Sequence, residues 1–440
     1  MRILMFGWEF PPYLSGGLGT ACYDMTKALA HKGTKIIFVQ PKVEGADKIR
    51  IAKGLTLRSA SGQNVTKVSE KLHSSLTEFW RRNVDIRNVD SPLTPYATPE
   101  TYEDYLEQLL KDKRYSELRE YSSSSTVLNL RGGYGKDLMS EVYRFSYAAA
   151  AIAIELANEY DIIHVHDWMT YPAGVLAKQV TGKPLIAHAH SLEYDRSGDN
   201  LNPQVARIEW EGLSKADKIV AVSHYTKNLI VKHYSIDENK IEVVHNAVTR
   251  ASFAKQFKVP ELFKDEKLVL FLGRITFQKG PEYFVEAARL VLDKLPNTRF
   301  VMGGSGDMLL NIVRRVGQLR MGDHFHFTGF MNRQDIERIY AMSDLYCMPS
   351  VSEPFGITPL EAMTSDVPVL ISRQSGVSEV LHGALKVDFW DVKEMANKIC
   401  AILSYPVLAA EVVKRCQQDL KSIKWENAAQ HLNDIYSQTV

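Results

Sequence analysis

Short apolar runs, glycine-containing loops and helical patterns alternate along this chain, and that rhythm sets its architecture. Ile3-Leu4-Met5-Phe6 is followed by a glycine-rich loop and a helical pattern from about Ala21 to His31, with Gly33 in the position that ends helices. Lys35 to Val39 reads as the next strand, then Asp161 to Val165, Pro184 to Ala187 and Asp217 to Val222. These runs are apolar without alternation, as parallel strands covered on both faces must be. Strands of that kind separated by helical pattern predict an α/β fold with a doubly wound parallel sheet.

The rhythm then restarts. Leu268 to Leu272 opens a second set of apolar runs, continued by Arg299 to Met302, His324 to Thr328, Leu345 to Met348 and Val367 to Ile371. The boundary falls near residue 250, after a polar stretch that ends near Lys267. A chain of 440 residues accommodates two to four domains at roughly 100–200 residues each. Two Rossmann-like domains, residues 1–250 and 251–415, are therefore expected to face each other across a cleft, each binding ligand at the carboxyl ends of its strands. Residues 66–140 interrupt the first domain with polar sequence, and a solvated helix is expected over Tyr102 to Glu120. The segment reads as a structural insertion or lid, with disorder as the alternative.

Composition excludes some classes. Lys and Arg number 53 against 52 Asp and Glu, so the net charge is +1. That balance argues against nucleic acid or a membrane surface as the dominant partner, although a local basic pocket remains compatible with it. The apolar run Ala148 to Ile154 is far below the roughly 20 residues a membrane span requires. Four scattered cysteines without a Cys-x-x-Cys pair point away from a disulfide scaffold or structural zinc. A cytoplasmic protein without an integral membrane segment is the expectation.

Several strand ends carry polar residues suited to chemistry. Ser15-Gly16-Gly17-Leu18-Gly19 permits either a tight turn or the approach of N–H groups to an anion or a sugar. It is a poor dinucleotide fingerprint, because Cys22 stands where a third glycine is needed. His164-Val165-His166-Asp167-Trp168 closes a buried strand, and His188-Ala189-His190 repeats the spacing at the next one. Two histidines two apart share one face of a strand, so a metal pair competes with a ligand-binding reading; no third ligand is near in sequence. In the second domain, Gly273-Arg274-Ile275-Thr276-Phe277-Gln278-Lys279-Gly280 places two cations on one loop. They suit a diphosphate whose charge grows as it leaves, or alternatively a solvated surface. Gly303-Gly304-Ser305-Gly306 allows close backbone approach. Glu353 and Glu361 bracket Pro354-Phe355-Gly356-Ile357-Thr358, where a helix is expected to start near Ile357 with its N–H groups facing an anion.

Taken together these residues resemble the retaining glycosyltransferases of the GT-B fold, in glycosyltransferase family 4 and the glycogen/starch synthase group. The shared features are the Gly-Gly-Leu loop, the His-Asp-Trp strand end, Arg274 with Lys279, and Glu353 with Glu361 in a Glu-x7-Glu element. Trp8-Glu9-Phe10-Pro11-Pro12 and the stretch His190 to Arg196 look most like glycogen-synthase-type members. The resemblance implies a nucleoside diphosphate sugar, ADP-glucose or UDP-glucose, as donor, a polysaccharide or other sugar as acceptor, and no cofactor or metal. It assigns catalytic roles to His166, Arg274, Lys279 and Glu353. Donor contacts fall to Gly17, Gly273, Gly304, Phe355, Gly356, Ile357, Thr358 and Glu361, and acceptor contacts to Glu9, Gly16, Leu18, Gly19 and His190. Residues 416–440, with Trp425 to Tyr436, resemble the terminal helix that crosses back onto the first domain. The chain departs from the pattern at Ser15, where glycogen synthases usually carry lysine, and at Ser375-Gly376, where many members have two glycines. In this family the acceptor attacks from the face the leaving group departs, and a diphosphate oxygen takes its proton.

Overall fold

The computed structural model describes residues 1–11, 17–43, 48–65, 67–68, 127–128, 130, 138–249 and 266–440. Most of the expected insertion over 66–140, including the helix over Tyr102 to Glu120, lies outside the described residues. So do Gly16 and the polar stretch after residue 249.

The strands, in chain order, are Arg2–Phe6 (β1), Lys35–Gln40 (β2), Lys48–Ala52 (β3), Leu55–Ser59 (β4), Gln63–Asn64 (β5), Val127–Leu128 (β6), Ile162–His166 (β7), Leu185–Ala189 (β8), Lys218–Ala221 (β9) and Ile241–Val243 (β10). A second series follows: Lys267–Leu272 (β11), Thr298–Gly303 (β12), Phe325–Gly329 (β13), Leu345–Met348 (β14), Val369–Ser372 (β15) and Leu385–Val387 (β16). The first sheet has the order β10-β9-β8-β7-β1-β2-β4-β3, and the second β13-β12-β11-β14-β15-β16. Every pairing is parallel except β3 with β4 in the first sheet, and β5 with β6, which form a separate ribbon. Both sheets are α/β, Rossmann-like and doubly wound.

The central strands are apolar on both faces because helices cover both. β7, β8, β14 and β15 are buried at every position. The antiparallel β3–β4 edge was not anticipated. Its sequence, KIRIA followed by LTLRS, alternates polar and apolar residues as a strand with one solvated face does. The first helix begins at Gly17, about four residues earlier than expected, and runs to His31.

Each sheet reverses its strand order once near its middle, at β1/β7 in the first and β11/β14 in the second. At such a point neighbouring loops diverge to opposite faces and leave a crevice. The last helix, Trp425–Thr439, lies against the first domain: Thr34 Oγ1 donates to Asn433 Oδ1 at 2.7 Å, and Tyr436 Oη meets His164 Nδ1 at 2.6 Å. Leu432 in this helix is fully buried. Leu432→Ala should lower stability by about 2–5 kcal/mol, the cost of lost transfer energy plus a cavity, read as a lower urea midpoint.

Candidate active site

In the second domain, β11 and β14 deliver the groups that meet. Lys279, in the single turn Phe277–Lys279 after β11, places its Nζ 2.6 Å from Glu353 Oε2 in the loop after β14. Ser350 Oγ donates to the same carboxylate oxygen at 3.0 Å. The Glu353 backbone is pinned on both sides: its N–H donates to Gln374 O, and its carbonyl accepts from Gly376 N–H, each at 2.9 Å. Gly273, Lys279, Ser350, Glu353 and Thr358 line one small cavity of about 50 Å³. Arg274 turns its Nη2 to Gln278 Oε1 at 3.0 Å, and Gln278 is itself buried beneath the loop.

Two glycines are required by geometry. A Cβ on Gly304, whose φ is +126°, would stand 1.9 Å from the Gly273 carbonyl oxygen, so no side chain fits there. Gly356 has φ +97°, a conformation that L side chains rarely adopt, where the chain turns into the helix Thr358–Thr364. That helix has only seven residues and starts one position later than expected, so its macrodipole is short. Ile357 stands at its N-cap, and Thr358 Oγ1 accepts from Tyr346 Oη at 2.7 Å. Phe355 is buried, and its carbonyl accepts from Val377 N–H at 2.7 Å. Glu361, one turn in, accepts from Tyr340 Oη at 3.4 Å, and burial raises its carboxyl above the ordinary value.

In the first domain, β7 and β8 bring four histidines together. His166 and His188 are register partners on adjacent strands. His166 Nδ1 lies 3.0 Å from His190 Nε2, and His164 Nε2 lies 3.3 Å from His188 Nδ1. Burial, with the neighbouring imidazoles, pushes His166 and His188 well below the usual value, while burial takes His164 and His190 down to about 3. All four are neutral at pH 7. Asp167 follows with φ +60°, strained for a residue with a side chain. Its Oδ1 accepts from the N–H groups of His190 at 2.6 Å and Ser191 at 3.2 Å, which ties the end of β8 to β7. Burial pushes its carboxyl up to about 7.

The remaining expected residues fall differently. Glu9 is buried in the first domain. Gly17, Leu18 and Gly19 form the first turn of a helix and not a loop, and Gly19 is buried there. The expectation of a free glycine loop over those three is thus corrected. A helix is reached directly because packing over Cys22, Met25 and Leu29 outweighs the low helix propensity of Gly17 and Gly19.

The two halves touch through residues that sequence reasoning missed. Ser352 Oγ donates to Asp195 Oδ1 at 2.5 Å, and Tyr225 Oη lies 2.9 Å from Ser352 Oγ. Ser223 Oγ donates to Pro354 O at 2.6 Å. Glu379 accepts from the N–H groups of His224 and Tyr225 and meets His245 Nε2 at 2.7 Å. Asp195 sits in the stretch from His190 to Arg196 that was singled out, and Ser352 immediately precedes Glu353; only their meeting was illegible. A larger cavity, about 290 Å³, lies where the chain crosses between domains beside His245, Glu379 and His431, and holds none of the expected site residues.

The family model for Glycosyl transferases group 1 matches residues 252–419, and that for Glycosyltransferase Family 4 matches residues 112–251. Over 299 residues the chain is 28% identical to an uncharacterised glycosyltransferase of Methanocaldococcus jannaschii, covering 63% of this chain and 75% of that one. It is 29% identical over 282 residues to the D-inositol 3-phosphate glycosyltransferase of a Mycobacterium species, covering 59% of this chain and 63% of that relative's length, which is less than two thirds. Among solved structures, the sucrose-phosphate synthase of Thermosynechococcus elongatus aligns with a TM-score of 0.69 at 18% identity over 99% of this chain and 98% of that one. The catalytic domain of starch synthase IV from Arabidopsis thaliana, bound to ADP and acarbose, aligns with a TM-score of 0.67 at 15% identity over 100% and 99%.

The burial of Asp195 against Ser352 makes stability depend on pH. Burial pushes the Asp195 carboxyl up to about 6 from an ordinary 3.8, against the lowering effect of its hydrogen bonds. A raised carboxyl binds its proton more tightly in the folded state. The cost of the buried charge is therefore absent below pH 3.8, develops between 3.8 and about 6, and is full above. Asp195→Asn should gain melting temperature relative to the parent as pH rises from 4 to 7. A constant difference across that range, in paired thermal melts, contradicts this assignment.

Proposed function

We propose that this chain, a glycosyltransferase of the GT-B type, moves a glucosyl unit from a nucleoside diphosphate glucose to the non-reducing end of an α-glucan, with retention. The observation that carries the reading is the contact between Lys279 and Glu353 beside a small cavity at adjacent strand ends. An ammonium there, with Arg274 on the same loop, stabilises the negative charge that develops on a departing diphosphate. Glu353, whose carboxylate is already held by two donors, is placed to orient the donor sugar together with Phe355, Gly356, Ile357 and Thr358. Glu361 is half-buried with one weak phenol partner, and a ribose diol would supply the donors such a carboxylate needs. Gly273 and Gly304 keep the loop backbones close enough to approach the donor.

On the acceptor side, His166 is neutral, so its part is to orient a sugar through a ring nitrogen and not to supply positive charge. Glu9, Leu18, Gly19 and His190 would line that side, with Gly17 turned to the donor. Acceptor attack occurs on the face the diphosphate leaves, and a diphosphate oxygen takes the proton. The two cations do the work a metal does in other transferases, so turnover needs none and should persist in EDTA. The cysteines are unpaired thiols, and three are buried, which suits a reducing, cytoplasmic setting. No single helix among the described residues is long and apolar enough to cross a membrane.

Two similarities favour different acceptors. The starch synthase fold, solved with ADP and acarbose, shares the full length of the chain and supports a glucan. The D-inositol 3-phosphate glycosyltransferases are nearer in sequence and favour a small phosphorylated acceptor as the second reading. ADP-glucose and UDP-glucose are to be supplied separately, with glycogen and with inositol 3-phosphate. Label that enters glycogen and is fully released by an exo-acting α-glucosidase supports the glucan reading. Label only on the phosphorylated acceptor selects the second.

Lys279→Ala should keep the fold and lower turnover on the order of 10²–10³-fold by removing charge stabilisation from the leaving group. Arg274→Ala should act alike, with the double variant less than additive because both serve one group. Near-parental turnover in Lys279→Ala refutes the assignment.

A further inference from the structure

His164, His166 and His188 converge in the buried heart of the first domain, where sugar transfer gives His164 and His188 no part. One ligand nitrogen from each lies within 4.8 Å of the others. Cys22, His166 and His190 form a second triad of the same compactness, so two sets of borderline donors share His166. We propose that this cluster is a binding site for a borderline divalent cation of the Zn²⁺ class, and that the cation inhibits transfer by engaging His166.

The arrangement of partners is that of a ligand set. Tyr436 Oη holds His164 Nδ1 at 2.6 Å, and His190 Nε2 holds His166 Nδ1 at 3.0 Å. Fixing one ring nitrogen orients the other and sets its tautomer, as the outer partners of metal-bound imidazoles do. The Nε2 atoms of His166 and His188 are buried and have no hydrogen-bond partner among the described residues. A buried polar atom left unpaired costs about 1–3 kcal/mol, and a cation bound through His166 Nε2 satisfies at least one of the two. A purely packed histidine cluster satisfies neither.

The distances agree. Zn–N bonds of about 2.0–2.1 Å in a tetrahedron require nitrogens about 3.3–3.4 Å apart. His164 Nε2 and His188 Nδ1 already stand at 3.3 Å, and a nitrogen of His166 completes the set within 4.8 Å. His190 is only half-buried at the rim of the cluster, which gives the cation a way in. Three imidazoles with an open fourth position is also the ligand count of a zinc that keeps a water.

The inhibitory part rests on the place given to His166 in transfer; the site itself does not. The test uses the full chain, stripped with chelator and titrated with Co²⁺ as a visible probe. One Co²⁺ per chain, with the strong visible absorption of a four-coordinate nitrogen site and displacement by Zn²⁺, is expected. His188→Leu should weaken Co²⁺ binding at least about tenfold, with circular dichroism reporting that it folds. His188→Asn makes the same test if the leucine variant does not fold. X-ray absorption of the Zn²⁺-loaded parent should show three or more imidazoles. No equimolar binding, coordination by oxygen alone, or parental affinity in a folded His188 variant overturns the site. Stoichiometric Zn²⁺ should slow transfer and EDTA restore it; imidazole-bound Co²⁺ with no effect of Zn²⁺ on transfer overturns the inhibition. A chain that binds Co²⁺ through imidazoles but transfers no sugar refutes the transferase reading and leaves the site standing.

Discussion

An ammonium and a carboxylate 2.6 Å apart, on loops from two adjacent strands, organise the face of the second domain. The Glu353 side chain is only 8% exposed and that of Lys279 20%, so neither charge is well hydrated. A pair so placed gains little net stability, because desolvation offsets most of the attraction, but removal of one partner strands the other. Each charge therefore holds the other in place until something replaces it. On the proposed reading a donor diphosphate draws Lys279 away and donor sugar hydroxyls take its place on Glu353. Donor binding and release of the catalytic carboxylate then become one exchange, and the position of both groups is set before the substrate arrives.

The strand ends explain why so much of the site could be read from the chain. Parallel strands buried on both faces write themselves as apolar runs, and the polar residue that ends each run is placed at the carboxyl edge by topology alone. His166 and Gly273 were singled out that way, at the ends of β7 and β11. What could not be read were contacts that depend on how the two sheets sit together. Ser352 and Asp195 are 157 positions apart, and no periodicity links them. The first turn of the helix from Gly17 was misjudged because glycine was weighed as a loop former, whereas packing over Cys22, Met25 and Leu29 supplied what glycine lacks. The strand β3 was missed for the opposite reason, since its alternation is that of a half-solvated edge and not of the buried strands sought.

The hydrogen bonds between the domains are made by groups that give up their partners cheaply. Hydroxyls of Ser223, Ser352 and Tyr225, two backbone N–H groups and a histidine facing Glu379 carry many of them. Water can replace each when the domains part, so polar interfaces of this kind permit relative motion by default. Asp195 adds a bias. Opening hydrates a carboxylate whose burial has pushed it up to about 6, and closing requires Ser352 to hold that charge or a proton to remove it. Near neutral pH the closed arrangement thus carries a desolvation cost that Ser352 only partly offsets. An acceptor or donor that contacts both loops supplies the remainder, so closure is expected to follow substrate and the residue before Glu353 to report it.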